Sequence, residues 1–381
     1  MPVGRQAGSR HTVAAMQRRL TALTVLALTA SLAACTSDPE PVASSASTAP
    51  TAGASASATP TPARDVAVSG ADARLTALVE KVYAGRTGIV ATATTGTWKG
   101  EKVAVVTAGK DVTLAVGPSW KVVGGWWPSL GRPTPQVGKG PRFVLVIGSD
   151  ARPDQKLEGT RADTLQVVGI DGKGGGGVMG IARDVWAPMP GGGKAKINAA
   201  YALGGGQGQV RTVRAVTGLP VSGFVATGFK GFKAIVDDSG GIPITVPRTV
   251  TQGRTTVRAG ERVLSGKQAL AYARERKSLP DGDFGRSRHQ GALLLAAAVK
   301  ARLAGVGILP RELSSVSRNA SSDLSAAEAL TFVAAFYRLD PRKVGHTVAK
   351  GSIGTSSDGQ SIVLLDAAAR RAFAGFRDGR L

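Results

Sequence analysis

Cysteine occurs once and histidine three times in this 381-residue chain. A single thiol excludes an intramolecular disulfide and any cysteine-rich metal site. The histidines, His11, His289 and His346, form no HExxH pair, which argues against a zinc hydrolase. There is no G-x-S-x-G elbow to present a serine nucleophile. Acidic residues are also scarce: 26 Asp and Glu stand against 48 Lys and Arg, a formal charge of +22. That excess implies an anionic partner, whether nucleic acid, anionic lipid, phosphate or acidic glycan, and composition does not choose among them. Apolar residues, at 43%, suffice for a full core and exclude wholesale disorder. The length exceeds one small domain and falls short of three ordinary ones.

No acid occurs in the first 34 residues, which carry Arg5, Arg10, Arg18 and Arg19 ahead of a mostly apolar run from Leu20 to Ala34. That run is shorter than the roughly 20 residues a membrane-spanning helix needs. A basic segment followed by a short apolar one reads as a secretory signal, beginning at Met1 or at Met16. It ends in Leu32-Ala33-Ala34-Cys35, a lipobox-like sequence that predicts a lipidated Cys35 at the mature N-terminus. The alternative is ordinary cleavage nearby with Cys35 incidental. Lipidation would hold the chain on the extracytoplasmic face of the cell membrane, where two acyl chains anchor stably. Removing residues 1–34 takes away four arginines and no acid, leaving +18 on the exported part. Export counts against nucleic acid as the partner.

Residues 35–71 read as the lipidated Cys and a Ser/Thr/Ala/Pro tether. Residues 72–137 read as a small β-rich accessory region, with a helix over Ala73–Tyr83 and strands at Val103–Thr107, Val112–Val116 and Trp120–Val123. Gly131 to Gly140 reads as a linker. Residues 138–381 then alternate strands and helices, with a core at 141–305 and a C-terminal extension at 306–381. Phe143–Ile147 is a continuous apolar run, typical of a strand buried on both faces. Thr164–Ile170 and Val178–Ala182 follow, joined by a glycine-rich hairpin turn. Helices are expected over Ala199–Leu203, Gln209–Thr217, Phe229–Ser239, Gly266–Arg274 and Arg286–Leu303, with another from Ser325 to Tyr337. A strand at Ile362–Leu365 and a helix from Asp366 close the chain. The pattern predicts a layered α/β domain with a mixed central sheet.

Arginine and aspartate recur together at the element ends of this domain. The clusters are Asp150-Ala151-Arg152, Arg161-Ala162-Asp163, Arg183-Asp184, Arg274-Glu275-Arg276 and Asp281-Gly282-Asp283 through Arg286. Loops at strand ends of an open α/β sheet converge on one crevice. Several guanidinium groups there would repel one another without a multiply charged anion, and a pyrophosphate matches their forked geometry. Asp150 and Asp163 would disfavour such an anion unless a hard cation such as Mg2+ bridged them, with Mn2+ as a substitute. The bland alternative is a set of surface salt bridges. His289 lies within a helix pattern, where packing explains it better than nucleophilic chemistry.

These stretches resemble the LytR-CpsA-Psr family of cell-wall enzymes. The likeness rests on Val144–Arg152, Arg161–Thr164, Ile181–Asp184, Lys196–Tyr201, Gly231-Phe232, Gly240–Ile244, Leu264–Leu270, Arg274–Lys277 and Gly282–Arg286. It implies a three-layer α/β/α domain that binds a polyprenyl-pyrophosphate-linked glycan in a long apolar groove. It also implies transfer of the phosphoglycan to a peptidoglycan hydroxyl, leaving polyprenyl phosphate. By position, Asp150 and Asp163 match the family's Mg2+-binding carboxylates. Arg152, Arg161, Arg183, Arg274, Arg276 and Arg286 match its pyrophosphate-binding arginines. Arg183, Arg274 and Arg276 are then expected to act in catalysis with Asp283, which fits the acidic position and is a hypothetical base. Gln290 is a further pyrophosphate-binding expectation, although the local sequence Arg288-His289-Gln290 departs from the family's usual Arg-Gln-Gln. A lipid anchor in place of the usual transmembrane helix is a second departure.

Two other functions compete with transfer. One is hydrolysis of the lipid pyrophosphate at the same site, and the other is non-catalytic binding of acidic wall polymers. DNA attenuation comes last because of the leader. Nothing in the sequence selects which wall polymer would be carried.

Overall fold

The structure is a computed structural model that describes residues 65–138, 142–152 and 154–381. The leader, Cys35 and the tether up to residue 64 lie outside the described residues. The first part of the described chain is a six-stranded sheet in sequence order: β1 (Val66–Ser69), β2 (Ile89–Trp98), β3 (Glu101–Ala108), β4 (Asp111–Val116), β5 (Lys121–Trp127) and β6 (Arg132–Gln136). Helix α1 (Ala73–Val82) carries the chain from β1 to the parallel β2, and the remaining pairs are antiparallel. Asp72 caps α1 by accepting from Leu75 N at 2.8 Å.

Two expectations change here. The segment read as tether includes β1, and the segment read as linker includes β6. Pro133 and Pro135 make β6 look like connector, but it is the sheet's edge strand, where a missing N–H costs no ladder bond.

The second sheet is mixed, in the spatial order Ser321–Ser322, Val221–Thr227, Arg142–Ser149, Ala162–Ile170, Gly176–Ile181 and Val344–Ala349. Its strands are β7 (Arg142–Ser149), β8 (Ala162–Ile170), β9 (Gly176–Ile181), β12 (Val221–Thr227), β17 (Ser321–Ser322) and β18 (Val344–Ala349). β7, β8 and β9 form antiparallel hairpins, whereas β12 runs parallel to β7 and β18 parallel to β9. Consequently the C-terminal ends of β7, β9 and β12 and the N-terminal end of β8 share one edge. Small paired strands surround this sheet: β10 (Trp186–Pro188) with β11 (Lys194–Lys196), β13 (Ile242–Val246) with β16 (Gly260–Leu264), β14 (Val250–Gln252) with β15 (Thr255–Val257), and β19 (Gly351–Thr355) with β20 (Ser361–Leu365).

Helices are α2 (Ala199–Thr217), α3 (Phe229–Asp238), α4 (Gly266–Arg274), α5 (Asp283–Ala304), α6 (Leu309–Asn319), α7 (Ala326–Phe336) and α8 (Ala367–Gly375). Ser265 with Gln268 and Ser325 with Glu328 form the capping boxes that start α4 and α7. The two helices expected over 199–217 are both present within α2, separated by a break at Gly204 and Gly205, where Gly205 takes φ +58°. One face of the sheet buries Phe143, Leu145, Leu165 and Met179 against Val210 and Val213 of α2 and Phe373 of α8. The other buries Val144, Val168 and Val178 with Leu313 of α6 and Leu330 of α7. Trp98, Val105 and Leu114 of the first sheet join that second cluster, so the accessory sheet lies outside the α/β/α layers on the α6–α7 side.

Candidate functional site

The shared strand edge collects the charged clusters. Asp150 follows β7, Asp163 lies at the start of β8, Arg183 and Asp184 follow β9, and Asp283 opens α5. Arg183 is central: its Nη1 donates to Asp163 Oδ1 at 2.8 Å and Oδ2 at 3.0 Å. Its Nε lies 3.8 Å from Asp184 Oδ2 and 3.9 Å from Asp283 Oδ1 and is buried without a hydrogen bond. Arg286 Nη2 approaches Asp283 Oδ1 at 2.7 Å, and Arg276 Nη1 lies 3.8 Å from Asp283 Oδ2. Lys196, from β11, pairs with Asp184 Oδ1 at 3.0 Å.

The start of α5 is seated from below. Gln166, fully buried in β8, donates through Nε2 to Ser287 O and Oγ, each at 3.0 Å. Gly180 on β9 makes this approach feasible, because a Cβ there would stand 2.3 Å from Ser287 Oγ. Arg286 and Asp283 thus project from a helix end fixed on the sheet.

Burial pushes the Asp283 carboxyl above its ordinary range, and the hydrogen bond shared with Asp184 adds to this against the opposing charge of Arg286. Burial acts in the same direction on Asp184, but bonds from Asp283 and Lys196 outweigh it and leave that carboxyl below its ordinary range. The two acids therefore form a pair in which Asp283 is the better proton holder. Burial disfavours the charge on Arg286, with the Asp283 carboxylate opposing that effect.

A polar cleft adjoins this cluster, lined by Asp150, Arg152, Gln155, Gly159, Thr160 and Arg161. Asp150 Oδ1 accepts from Arg161 N at 3.0 Å. The Arg152 and Arg161 side chains are exposed. Arg274 reaches the same edge from α4, its guanidinium carbon 4.6 Å from the Phe229 ring centroid. Phe229 N in turn bonds Ala151 O at 3.4 Å.

Gln290 differs from the other site expectations. It is buried, and its Nε2 donates to Ala273 O at 3.2 Å, directly behind Arg274. His289 stacks on Tyr272 with centroids 4.1 Å apart, in keeping with a packing role. A second cleft, lined by Thr95, Asp238, Arg311 and Ser315 among others, is also polar, so neither cleft is the long apolar groove implied by the resemblance. Asp184, Lys196 and Phe229 were not among the expected site residues. Asp184 stood in the Arg183-Asp184 cluster and Lys196 in the Lys196–Tyr201 stretch without being given a role; Phe229 carries no comparable signal.

A model of the LytR_cpsA_psr family matches residues 129–373. The chain belongs to this family. Among its relatives, the polyisoprenyl-teichoic acid–peptidoglycan teichoic acid transferase TagU of Bacillus cereus is 34% identical over 191 residues, 49% of this chain and 61% of that protein. The chain thus spans less than two thirds of that relative. The TagU of Enterococcus faecalis is 32% identical over 231 residues, covering 60% of this chain and 76% of that one. The crystal structure of TagV from B. subtilis is 28% identical with a TM-score of 0.55, covering 63% of this chain and 98% of that one.

Proposed function

We propose that this protein is a phosphotransferase that moves a phosphoglycan from a polyprenyl-pyrophosphate carrier to a peptidoglycan hydroxyl. The observation that carries this reading is the convergence of Arg183, Arg276 and Arg286 on Asp283 at the sheet edge that also holds Arg152 and Arg161. Guanidinium forks suit a pyrophosphate, and several of them stabilise charge as it develops on the departing phosphate. The names of the relatives support the same donor and acceptor classes.

Asp150 and Asp163 fit a sparse Mg2+ set. They stand on adjacent strand ends, one with a single oxygen engaged by a backbone N–H and the other paired to Arg183. Mg2+ is commonly held by one or two carboxylates, with water and substrate phosphates completing its octahedron. When bound there it would neutralise charge on the pyrophosphate oxygens. Arg152 and Arg161 bind the outer phosphate oxygens. Arg183, released from Asp163 as the anion enters, turns its fork to the transferring phosphorus. Asp283 accepts the proton of the incoming hydroxyl. Arg274, stacked on Phe229, orients the donor. A lipid on Cys35 would hold this site against the outer membrane face, where the carrier resides.

Purified protein with Mg2+, a lipid-pyrophosphate glycan and a peptidoglycan oligomer should yield a phosphodiester-linked product. Free phosphoglycan in place of that product would instead mark a pyrophosphatase. Salt-sensitive polymer binding without turnover would mark a binding protein.

A further inference from the structure

The catalytic edge holds one acid and one base whose arrangement the transfer reading does not by itself require. Asp184 lies beside Arg183, yet its carboxylate is held by Lys196, from the β10–β11 hairpin, at 3.0 Å. Its other oxygen faces Arg183 Nε, the same atom that Asp283 Oδ1 faces from the opposite element. Both carboxyls are largely enclosed, with side-chain exposures of 18% and 16%. Arg183 Nε forms a hydrogen bond with neither acid. Two acids that flank one guanidinium nitrogen repel each other when both are ionised, so the charge on one bears on the titration of the other.

We propose that Asp184 and Lys196 are positioning residues that tune Asp283 as the proton acceptor for the incoming hydroxyl. The proposal rests on the transfer reading above. In the step, the acceptor oxygen forms a bond to the glycan-side phosphorus, and the bond from that phosphorus to the bridging oxygen breaks. Polyprenyl phosphate leaves with the electron pair, and the hydroxyl proton passes to Asp283. Asp283 alone among Arg183, Arg276 and Arg286 would be a weak base, because three cations favour its ionised form. A second carboxylate at Asp184 opposes them and raises its proton affinity, the direction that burial also imposes. Lys196 limits that effect because its ammonium, 3.0 Å from Asp184 Oδ1, partly neutralises the charge that Asp184 presents to Asp283. The charged groups facing Asp283 are Arg286 on its own helix, Arg276 after α4, and Arg183 and Asp184 after β9. Lys196 acts through Asp184 and Asp163 through Arg183, while Asp281 is turned toward Arg288 at 2.7 Å.

The two variants should move the pH dependence in opposite directions. Activity requires ionised Asp283 and so falls as pH drops through its titration. Asp184→Asn removes the neighbouring negative charge, so the acid limb of kcat should move to lower pH while kcat at its plateau falls about 10- to 100-fold. Lys196→Met leaves both carboxyls but removes the cation, so the limb should move to higher pH. Carbon NMR of the Asp283 carboxyl in ligand-free full-length protein should show the same two shifts. Lowered kcat with the limb unmoved in both variants would make Asp184 merely structural and overturn the proposal. If the wild type makes no phosphodiester, the transfer reading fails, and the NMR titration still decides the coupling: an Asp283 midpoint indifferent to Asp184→Asn overturns it.

Discussion

The accessory sheet and the arginine-lined edge of the second sheet both bury charged and polar groups, but they treat them differently. In the accessory sheet Asp111, 1% exposed, accepts from Tyr83 Oη at 3.0 Å, Ser129 N at 3.0 Å and Ser129 Oγ. Trp127 Nε1 donates to Thr113 Oγ1 at 2.8 Å and Trp120 Nε1 to Asp72 at 3.0 Å. At the arginine-lined edge of the second sheet Arg183 Nε and Gln166 Oε1 are buried without a hydrogen bond, and Asp283 Oδ1 is held only by the Arg286 ion pair at 2.7 Å. Closed networks serve stability, since every desolvated group has regained a partner. Open ones hold unspent donors and acceptors whose cost is recovered when a substrate supplies the missing partners.

That contrast can be broken by exchanging its consequences. Arg183→Ala should lower phosphodiester formation by about a thousandfold, roughly 4 kcal/mol of transition-state stabilisation, while thermal unfolding changes little. A steady-state product assay beside a calorimetric melt tests both halves. Asp111→Ala should do the reverse. It strands the Tyr83 hydroxyl and the Ser129 N–H and costs about 3 kcal/mol of stability by denaturant titration, with kcat per folded molecule unchanged. A matching loss of kcat would mean that the accessory sheet reaches into the chemistry. The smallest effect sharpens the picture at the rim: Phe229→Ala removes the face under Arg274 and should raise the donor KM about three- to tenfold with kcat nearly constant. A fall in kcat instead would place Arg274 on the transferring phosphoryl group.

Much of the local structure was legible because it depends on neighbours in sequence. The apolar run of β7, the hairpin glycines between β8 and β9, and the serines that cap α4 and α7 all act over a few residues. β6 was misread because its Arg-Pro-Thr-Pro composition describes a connector as well as an edge strand; its pairing to β5 and the packing of Arg132 over Trp127 at 4.8 Å are tertiary facts. β1 was missed because a four-residue strand has almost no pattern of its own before β2 aligns beside it. Asp283, three residues ahead of the helix expected over Arg286–Leu303, itself begins that helix, where Gly282 takes φ +51° and the next turn seats on Gln166. Gln290 carries the chemistry of a phosphate ligand, yet packing spends its amide on a backbone carbonyl.

From the sequence alone follow the basic charge, the strand and helix alternation, and the presence of arginines and aspartates at element ends, since these depend only on residue identity and short spacing. Which of those groups meet was decided by the sheet order. Stacking β8 beside β9 brings Asp163 to the Arg183 guanidinium, the seating of α5 adds Asp283, and β11 adds Lys196 through Asp184. Charge interaction falls with distance and with solvent exposure, so groups a hundred positions apart acquire a joint chemistry only once folding has removed the water between them.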